Sequence, residues 1–309
     1  MSETKLSREE FLSHLAELRP ELHRYCARLT GSVFDGEDVV QNTLVRACRD
    51  ADEIDNVRHL RAWLFRIAHN RALDHLRVKA RRMTEPLEAA AHVLDEASPN
   101  PAEALAQQEA TTTAIARFLL LPIGPRSVVI LKDVLGHSLA DISALLGLSL
   151  AAVKSALNRG RTQLHELNTA LGATEVSTKS ASAEIRRYVS LFNARDWDPL
   201  RSLLAEDVRI DQTSRAVLRG KPEAGTFFTR YDAISDWQLA VAWVEGREVA
   251  AVFANSKDPK PSYFMELKWQ DGKILHIRDF RYARYVATGD VITLSLDKIE
   301  PARTKTIIN

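Results

Sequence analysis

ILKDVLGHSLADISALLGLSLAAVKSALNRGRTQLHEL, running from Ile130 to Leu167, reads as two short helices joined by a tight turn. The first, Leu139 to Leu146, repeats apolar residues at Ile142, Leu145 and Leu146 and stops at Gly147, a residue suited to the left-handed backbone of a helix C-terminus. Ser149 then caps the free N–H groups of the second helix. Along that helix Val153, Leu157, Leu164 and Leu167 recur at helical spacing and face inward, leaving Lys154, Ser155, Asn158, Arg159 and Arg161 on the other side. A helix of this kind fits the DNA major groove, where polar side chains read base edges and cations meet phosphates. Taken alone, an ordinary helical hairpin with a solvated basic face reads the same way.

The stretch NVRHLRAWLFRIAHNRALDHLRVKARR, Asn56 to Arg82, narrows the choice, because it carries eight basic residues against the single acid Asp74. At 100° per residue Trp63, Arg66, Asn70, Asp74 and Arg77 form one helical stripe, while Leu60, Leu64, Ile67 and Ala68 form another. One face packs and the other meets a partner. Cations neutralise phosphates, and an aromatic among them stacks on an unpaired base. Trp63 reads equally as a large core residue at the helix edge.

Just upstream, DGEDVVQNTLVRACRDADEID from Asp35 to Asp55 has seven acids and two bases. Its apolar side is Val39, Val40, Leu44, Val45 and Cys48, with Asp38, Gln41 and Asn42 among the exposed positions. Such a helix suits docking on a basic protein partner, and a merely solvated acidic face is the plainer alternative.

In this order and separation the three segments resemble the extracytoplasmic-function group of bacterial RNA polymerase sigma factors, over roughly Arg8 to Leu167. The resemblance implies that the Asp35 helix binds the clamp helices of the largest subunit of core RNA polymerase, through Asp38 and Gln41. It implies −10 promoter contacts from Arg58, Arg61, Trp63, Asn70, Asp74 and Arg77, around a region beginning at Asn56. It implies −35 contacts from Lys154, Ser155, Asn158, Arg159 and Arg161. Two positions depart from the family pattern: Asn42 stands where an acid is usual, and Ala156 where an arginine is usual.

From Met83 to Thr111 there are six acids, no lysine or arginine, and prolines at 86, 99 and 101. That composition favours an extended, negatively charged linker, which threads a basic channel or serves as a plain tether. The 309 residues suffice for two or three domains, and the near balance of 42 basic and 41 acidic side chains hides strong regional polarisation. No apolar run reaches the ~20 residues needed to span a bilayer, and MSETKLSREE lacks the apolar core of a signal peptide. The expected location is cytoplasmic, with no membrane association. Cys26 and Cys48 read as small buried side chains rather than a disulfide. The scattered histidines give no metal-ligand spacing, so neither a metal nor a cofactor is expected.

After a Thr/Ser/Ala-rich stretch near residues 173–182 the pattern changes. An amphipathic helix from Ala183 turns Ile185, Tyr188, Val189 and Phe192 inward, and a short helix through Trp197 follows. Strand-like runs come next: VRI, AVL, QLAVAWVEG, REVAAVFAN, SYFMELKWQ and KILHIRDFRY. Turns at EGR, KDPKP and QDGK separate the last four, which most simply form a meander curling around the helices. This order of elements resembles the cone-shaped NTF2-like fold, and within it the SnoaL-like polyketide cyclases. A pocket in such a cone implies a small-molecule ligand, with Trp243, Tyr263, His276 and Asp279 as its candidate residues and Asp207 and Asp211 as further acids. No spacing among them identifies catalysis.

The expected architecture is therefore multidomain: two all-α sigma domains, the second a helix-turn-helix, followed by an α+β NTF2-like cone domain. The boundaries fall at 8–82, an acidic linker at 83–111, 112–170, a linker at 171–181, 182–292 and a tail at 293–309. Two functions remain open. One is a sigma factor directing core RNA polymerase to promoter DNA, regulated by its cone domain. The other is a cyclase- or isomerase-type enzyme attached to a DNA-binding region. The first is preferred and carries no catalytic residue, because only the DNA-directed segments offer a coherent set of side chains.

Overall fold

The computed structural model describes residues 7–51, 57–84, 115–170, 180–232, 234, 236–255, 257–288 and 295–296. Asn56, most of the expected linkers and most of the tail lie outside them. The chain divides into two compact units, Met1–Glu175 and Val176–Asn309.

The first unit is helical. Helices α1 (Arg8–Thr30), α2 (Val33–Arg49) and α3 (Val57–Thr84) come first. A 3₁₀ turn (Ala116–Leu120) then leads to α4 (Ile123–Val129), whose last turn loosens into a π-helical turn (Ile130–Val134). Helices α5 (Leu139–Leu146) and α6 (Leu150–Ala170) complete the unit. One apolar core runs from Phe11 and Leu15 of α1 through Leu64 and Ala68 of α3 to Ile142 of α5 and Val153 of α6.

Capping chemistry sets the ends of the helix-turn-helix. Ser138 and Asp141 form a reciprocal capping box on α5, Gly147 closes it at φ 65°, and the Ser149 hydroxyl accepts the Ala152 N–H at 3.2 Å. The axes of α5 and α6 meet at 104°, within the range of a helix-turn-helix.

Two expectations for α2 are corrected. Its buried stripe is Gly36, Val39, Val40, Thr43 and Ala47, at spacings that return every turn, so Val45 (58% exposed) and Cys48 fall outside it. Cys48 is therefore exposed, whereas Cys26 is buried. The acidity of this segment is also partly internal. The Glu37 carboxylate is buried against Arg19 at 2.5 Å. Asp35 accepts from Lys79 of α3 at 2.8 Å and lies 3.4 Å from His75.

The second unit is α+β. Helices α7 (Ala183–Asn193) and α8 (Trp197–Ser202) precede β1 (Leu204–Gln212) and β2 (Ala216–Arg219), and α9 (Gly220–Asp232) follows. Strands β3 (Gln238–Val244), β4 (Arg247–Phe253), β5 (Tyr263–Gln270) and β6 (Lys273–Asp279) form the meander. A one-turn helix α10 (Tyr285–Thr288) and a two-residue strand β7 (Ser295–Leu296) come last. The sheet order is β2-β1-β6-β5-β4-β3-β7. All neighbours are antiparallel except β1 and β6, whose parallel pairing sets Ile210 beside Ile277 and Gln212 beside Asp279. The two tight hairpins turn on Glu245-Gly246 (φ 53° and 76°) and Asp271-Gly272 (φ 51° and 72°), the paired positive dihedrals that match strand twist. Val208, Ile210, Leu239, Val241, Met265 and Ile277 face inward onto Ile185, Phe192, Phe227 and Phe228 of the helices.

Candidate functional site

On α3, Leu60, Leu64, Phe65, Ala68 and Ala72 are buried, which leaves Arg66, Asn70, Asp74 and Arg77 exposed along the opposite side. Asp74 and Arg77 pair at 3.2 Å, one turn apart. Trp63 is partly buried and packs against the core, so it has a foot in both of the roles considered for it. The Arg58 side chain lies outside the described residues. Arg61 donates to Glu21 of α1, and that carboxylate also takes a 3.1 Å contact from Nε2 of His137. Burial opposes the Glu21 charge, yet His137 and Arg61 more than offset it and hold its pKa below the usual carboxylate range. Beside this cluster a cavity of about 360 Å³ is lined by Arg61 and Ala62 of α3, Gly136 and His137 of the turn, and Asp141 and Leu145 of α5.

On α6, Lys154, Ser155, Asn158, Arg159 and Arg161 are all exposed, and Ala156 is buried. Arg159 donates to Ser155 at 2.7 Å. Arg161 forms a two-point ion pair with Asp133, at 3.0 and 2.5 Å. An approaching anion would have to compete with Asp133 for Arg161, whereas Arg159 has only a neutral hydroxyl to release. Arg159→Ala is accordingly expected to reduce the salt slope of promoter binding by about one unit, as for one lost phosphate contact. Equal slopes for mutant and parent, measured on the polymerase complex, exclude that contact.

On α2, Gln41 donates weakly to Glu37 at 3.4 Å, and Asp38 is partly exposed on the same helix as Leu44 and Val45. Val45 is exposed among these polar neighbours.

In the second unit the four candidate residues do not share one place. Tyr263 and Asp279 are buried on the inner face of the sheet, and Trp243 packs partly against the same core. His276 is the correction. Strand alternation turns it with Arg209 and Asp211 to the other face, where Nε2 lies 3.7 Å from the Asp211 carboxylate. That neighbour, after which Arg209 contributes, holds the Asp211 pKa low.

Around Asp279 the structure gathers groups that periodicity had marked only as core or left unnamed. Burial raises the pKa values of Tyr188 of α7, Tyr231 of α9 and Tyr263, and the nearby Asp279 charge adds to the rise of each. The Tyr231 and Tyr263 hydroxyls bond at 3.0 Å. Asp279 Oδ1 accepts the Arg281 backbone N–H at 2.9 Å, whereas Oδ2 and the Tyr188 hydroxyl have no hydrogen-bond partner. Burial pushes the Asp279 pKa up to about 6, against the lowering effects of the Arg281 backbone N–H and charge and, less strongly, of the Gln212 and Tyr231 side chains.

These features define a helical unit with a helix-turn-helix and exposed polar and cationic faces on α3 and α6, joined in sequence to an α+β unit with a polar cluster in its apolar interior. Residues 15–82 match the sequence profile of Sigma-70 region 2, residues 115–164 that of Sigma-70 region 4, and residues 185–292 that of the SnoaL-like domain. The ECF RNA polymerase sigma factor SigL of Mycobacterium tuberculosis (strain Erdman) is 32% identical over 174 residues, which cover 56% of this chain and 94% of SigL. SigG of M. tuberculosis (strain H37Rv), another ECF sigma factor, is 31% identical over 224 residues; the match covers 65% of this chain and spans 60% of SigG's length. The crystal structure of M. tuberculosis extracytoplasmic function sigma factor SigJ has a TM-score of 0.34 and 22% identity, covering 87% of this chain and 95% of that one. The chain belongs to the family of ECF RNA polymerase sigma factors.

Among the described residues no single helix is long and apolar enough to cross a membrane.

Proposed function

We propose that this chain is a sigma subunit that brings core RNA polymerase to particular promoters, with its SnoaL-like unit regulating that activity, and that it works in the cytoplasm without catalytic chemistry of its own. The observation that carries the reading is the pair of exposed polar and cationic faces on α3 and α6, presented by one helical unit that is otherwise closed around its core. In this reading Asp38 and Gln41 meet the clamp helices of the polymerase, with Leu44 and Val45 supplying apolar contact. Arg58, Arg61, Trp63, Asn70, Asp74 and Arg77 serve the −10 element, and Lys154, Ser155, Asn158, Arg159 and Arg161 the −35 element. Phosphate contacts would supply most of the affinity and the α6 side chains much of the selectivity.

The test is run-off transcription with core polymerase and a promoter selected by the purified chain. Promoter-dependent transcripts are expected, and a chain ending at Leu171 should differ from the full one several-fold. No promoter-dependent transcript overturns the sigma reading, and equal output from both chains overturns the regulatory part. The enzyme reading rests on one observation, the buried Asp279 with its raised pKa, and turnover of an enolisable ketone would support it.

A further inference from the structure

We propose that the sheet of the SnoaL-like unit carries a second DNA surface on the face turned away from α7 and α9: a row of cations across β2, β1, β6 and β5 that holds the phosphate backbone of duplex DNA without reading its sequence. This goes beyond the regulatory reading of the unit. The sigma reading enters only by supplying duplex DNA nearby.

Strand register dictates the row. Arg209 of β1 stands opposite Arg219 of β2 and beside His276 of β6, and Lys268 of β5 stands opposite His276. Side chains paired in this way share a face. The positions that alternate with them, Leu218, Ile210, Ile277 and Leu267, pack into the apolar core on the other side. Arg219, Arg209, His276 and Lys268 therefore form one line across four strands, about 14 Å long at the usual strand spacing. The adjoining row adds Arg278, set between Asp211 of β1 and Glu266 of β5.

Like charges placed directly opposite one another cost stability, as Arg209 and Arg219 do here. The line contains no acid, and the acids close to it are engaged. Asp211 lies 2.7 Å from Arg209, Glu266 2.9 Å from Arg247, and Glu206 2.8 Å from Lys221. Arg209 gives only Nη2 to Asp211, and its Nε has no hydrogen-bond partner. Among the described residues no carboxylate pairs with the side chain of Arg219 or of Lys268, and both are exposed. An anion with charges repeated along its length compensates such a row, whereas a small anion meets one end of it.

Duplex DNA fits these requirements. It carries a charge for about every 1.7 Å of axis, so about eight phosphates fall within a stretch as long as the row. Surfaces for single strands interleave cations with rings on which bases stack. This row has no phenylalanine, tyrosine or tryptophan, and Tyr282, beyond β6, is covered by the Arg215 guanidinium at 4.5 Å. Base edges are read by elements that enter a groove, so a sheet face of this kind meets backbone alone. Residues 171–181 separate α6 from the Ser182 cap of α7. A chain of that length reaches at most about 40 Å, which keeps DNA engaged by α6 within covalent reach of the sheet.

The experiment measures binding of the full chain, without polymerase, to a random-sequence duplex of about 40 base pairs, by fluorescence anisotropy across a series of salt concentrations. Arg219→Gln combined with Lys268→Gln is expected to weaken binding about tenfold or more at about 0.1 M salt and to lower the salt slope by about two units. Lys268→Gln alone should lower it by about one. Lys257→Gln combined with Lys260→Gln, in the loop between β4 and β5, removes the same charge and should leave the slope unchanged. All four side chains are exposed, so the fold is kept, and matching thermal midpoints verify it. No salt-dependent binding of the duplex by the parent, an unchanged slope in the row variant, or an equal loss in the loop variant overturns the proposal. A row variant that binds duplex like the parent but core polymerase more weakly assigns the face to protein and overturns it as well. The sigma reading fails separately, in run-off transcription by the parent chain, and the row can stand without it.

Discussion

Replacing Arg126 with methionine is expected to lower the unfolding free energy of the helical unit by about 2–4 kcal/mol, since buried carbonyls left without a donor cost about 1–3 kcal/mol each and partly relax. Arg126 lies on α4 with only 7% of its surface exposed, although burial disfavours its charge and pulls its pKa down. The guanidinium is held by backbone carbonyls rather than by an acid. Nε and Nη2 donate to Leu121 O at 3.1 and 2.7 Å, Nη2 also to Leu119 O at 2.9 Å, and Nη1 to Leu29 O at 2.9 Å. Leu29 belongs to the last turn of α1, where helix carbonyls lack partners of their own, and Leu119 and Leu121 belong to the turn before α4. One planar group thus fastens α4 and the turn just before it to the end of α1, 97 residues away in sequence. Methionine keeps the apolar stem and leaves three buried acceptors unmet. Lysine should recover only part of the loss, because a single ammonium cannot reproduce the fork. Urea unfolding of the full chain, followed by helical circular dichroism, reads the difference. A loss below about 1 kcal/mol would mean that water reaches those carbonyls and that the fork is not what secures α4.

No sequence signal separates Arg126 from the basic residues that face outward. It stands in LPIGPRSVVI, where one arginine interrupts an apolar run, and local spacing cannot tell a solvated arginine from one that collects carbonyls from α1. Elements whose ends are set by their own neighbours were legible. Ser138, Gly147 and Ser149 bound the helix-turn-helix as capping rules require, and Glu245-Gly246 and Asp271-Gly272 turn the hairpins. The exposed face of α6 was legible for the same reason, since 3.6 residues per turn fix which side chains share a face. Partners were not legible. That Arg161 would meet Asp133, that Arg61 and His137 would meet on Glu21, and that Glu37 would be buried against Arg19 depend on contacts between elements. Net charge along the segment from Asp35 to Asp55 overstated its open acidity for that reason.

The SnoaL-like unit shows the same division. Alternation placed its strands, but a strand period of two gives opposite faces without saying which is inner. His276 and Asp279 differ by three positions and so fall on opposite faces, a distinction available in the sequence once Ile277 is known to face inward. The parallel pairing of β1 with β6 is long-range and had no local mark, yet it is what brings Gln212 beside Asp279. Tyr188 read as a core residue because its ring is one. Its hydroxyl became informative only when the structure left it without a partner.

Asp279→Asn is expected to gain stability relative to the parent as pH rises, by about 2 kcal/mol between pH 4 and pH 7. The folded-state pKa of about 6 lies above the ordinary 3.8, because burial disfavours the charged form. Between those values the folded chain holds a proton that the unfolded chain has released. Parent stability must then fall through that window, by about 1.4 kcal/mol per pH unit at most, and level off above it. Asparagine has no proton to lose and still offers an oxygen to the Arg281 N–H, so its own contribution is flat in pH; any fixed penalty from its amide shifts the whole curve and leaves the slope alone. Other carboxylates, including Asp35, which His75 and Lys79 hold low against burial, titrate alike in both proteins and cancel in the difference. Urea midpoints at pH 4, 5, 6 and 7, followed by tryptophan fluorescence, give the measurement. A difference that does not change with pH would mean that Asp279 titrates at its ordinary value and is therefore solvated. If the difference grows as expected, the parent keeps at neutral pH a buried charge that an amide would relieve.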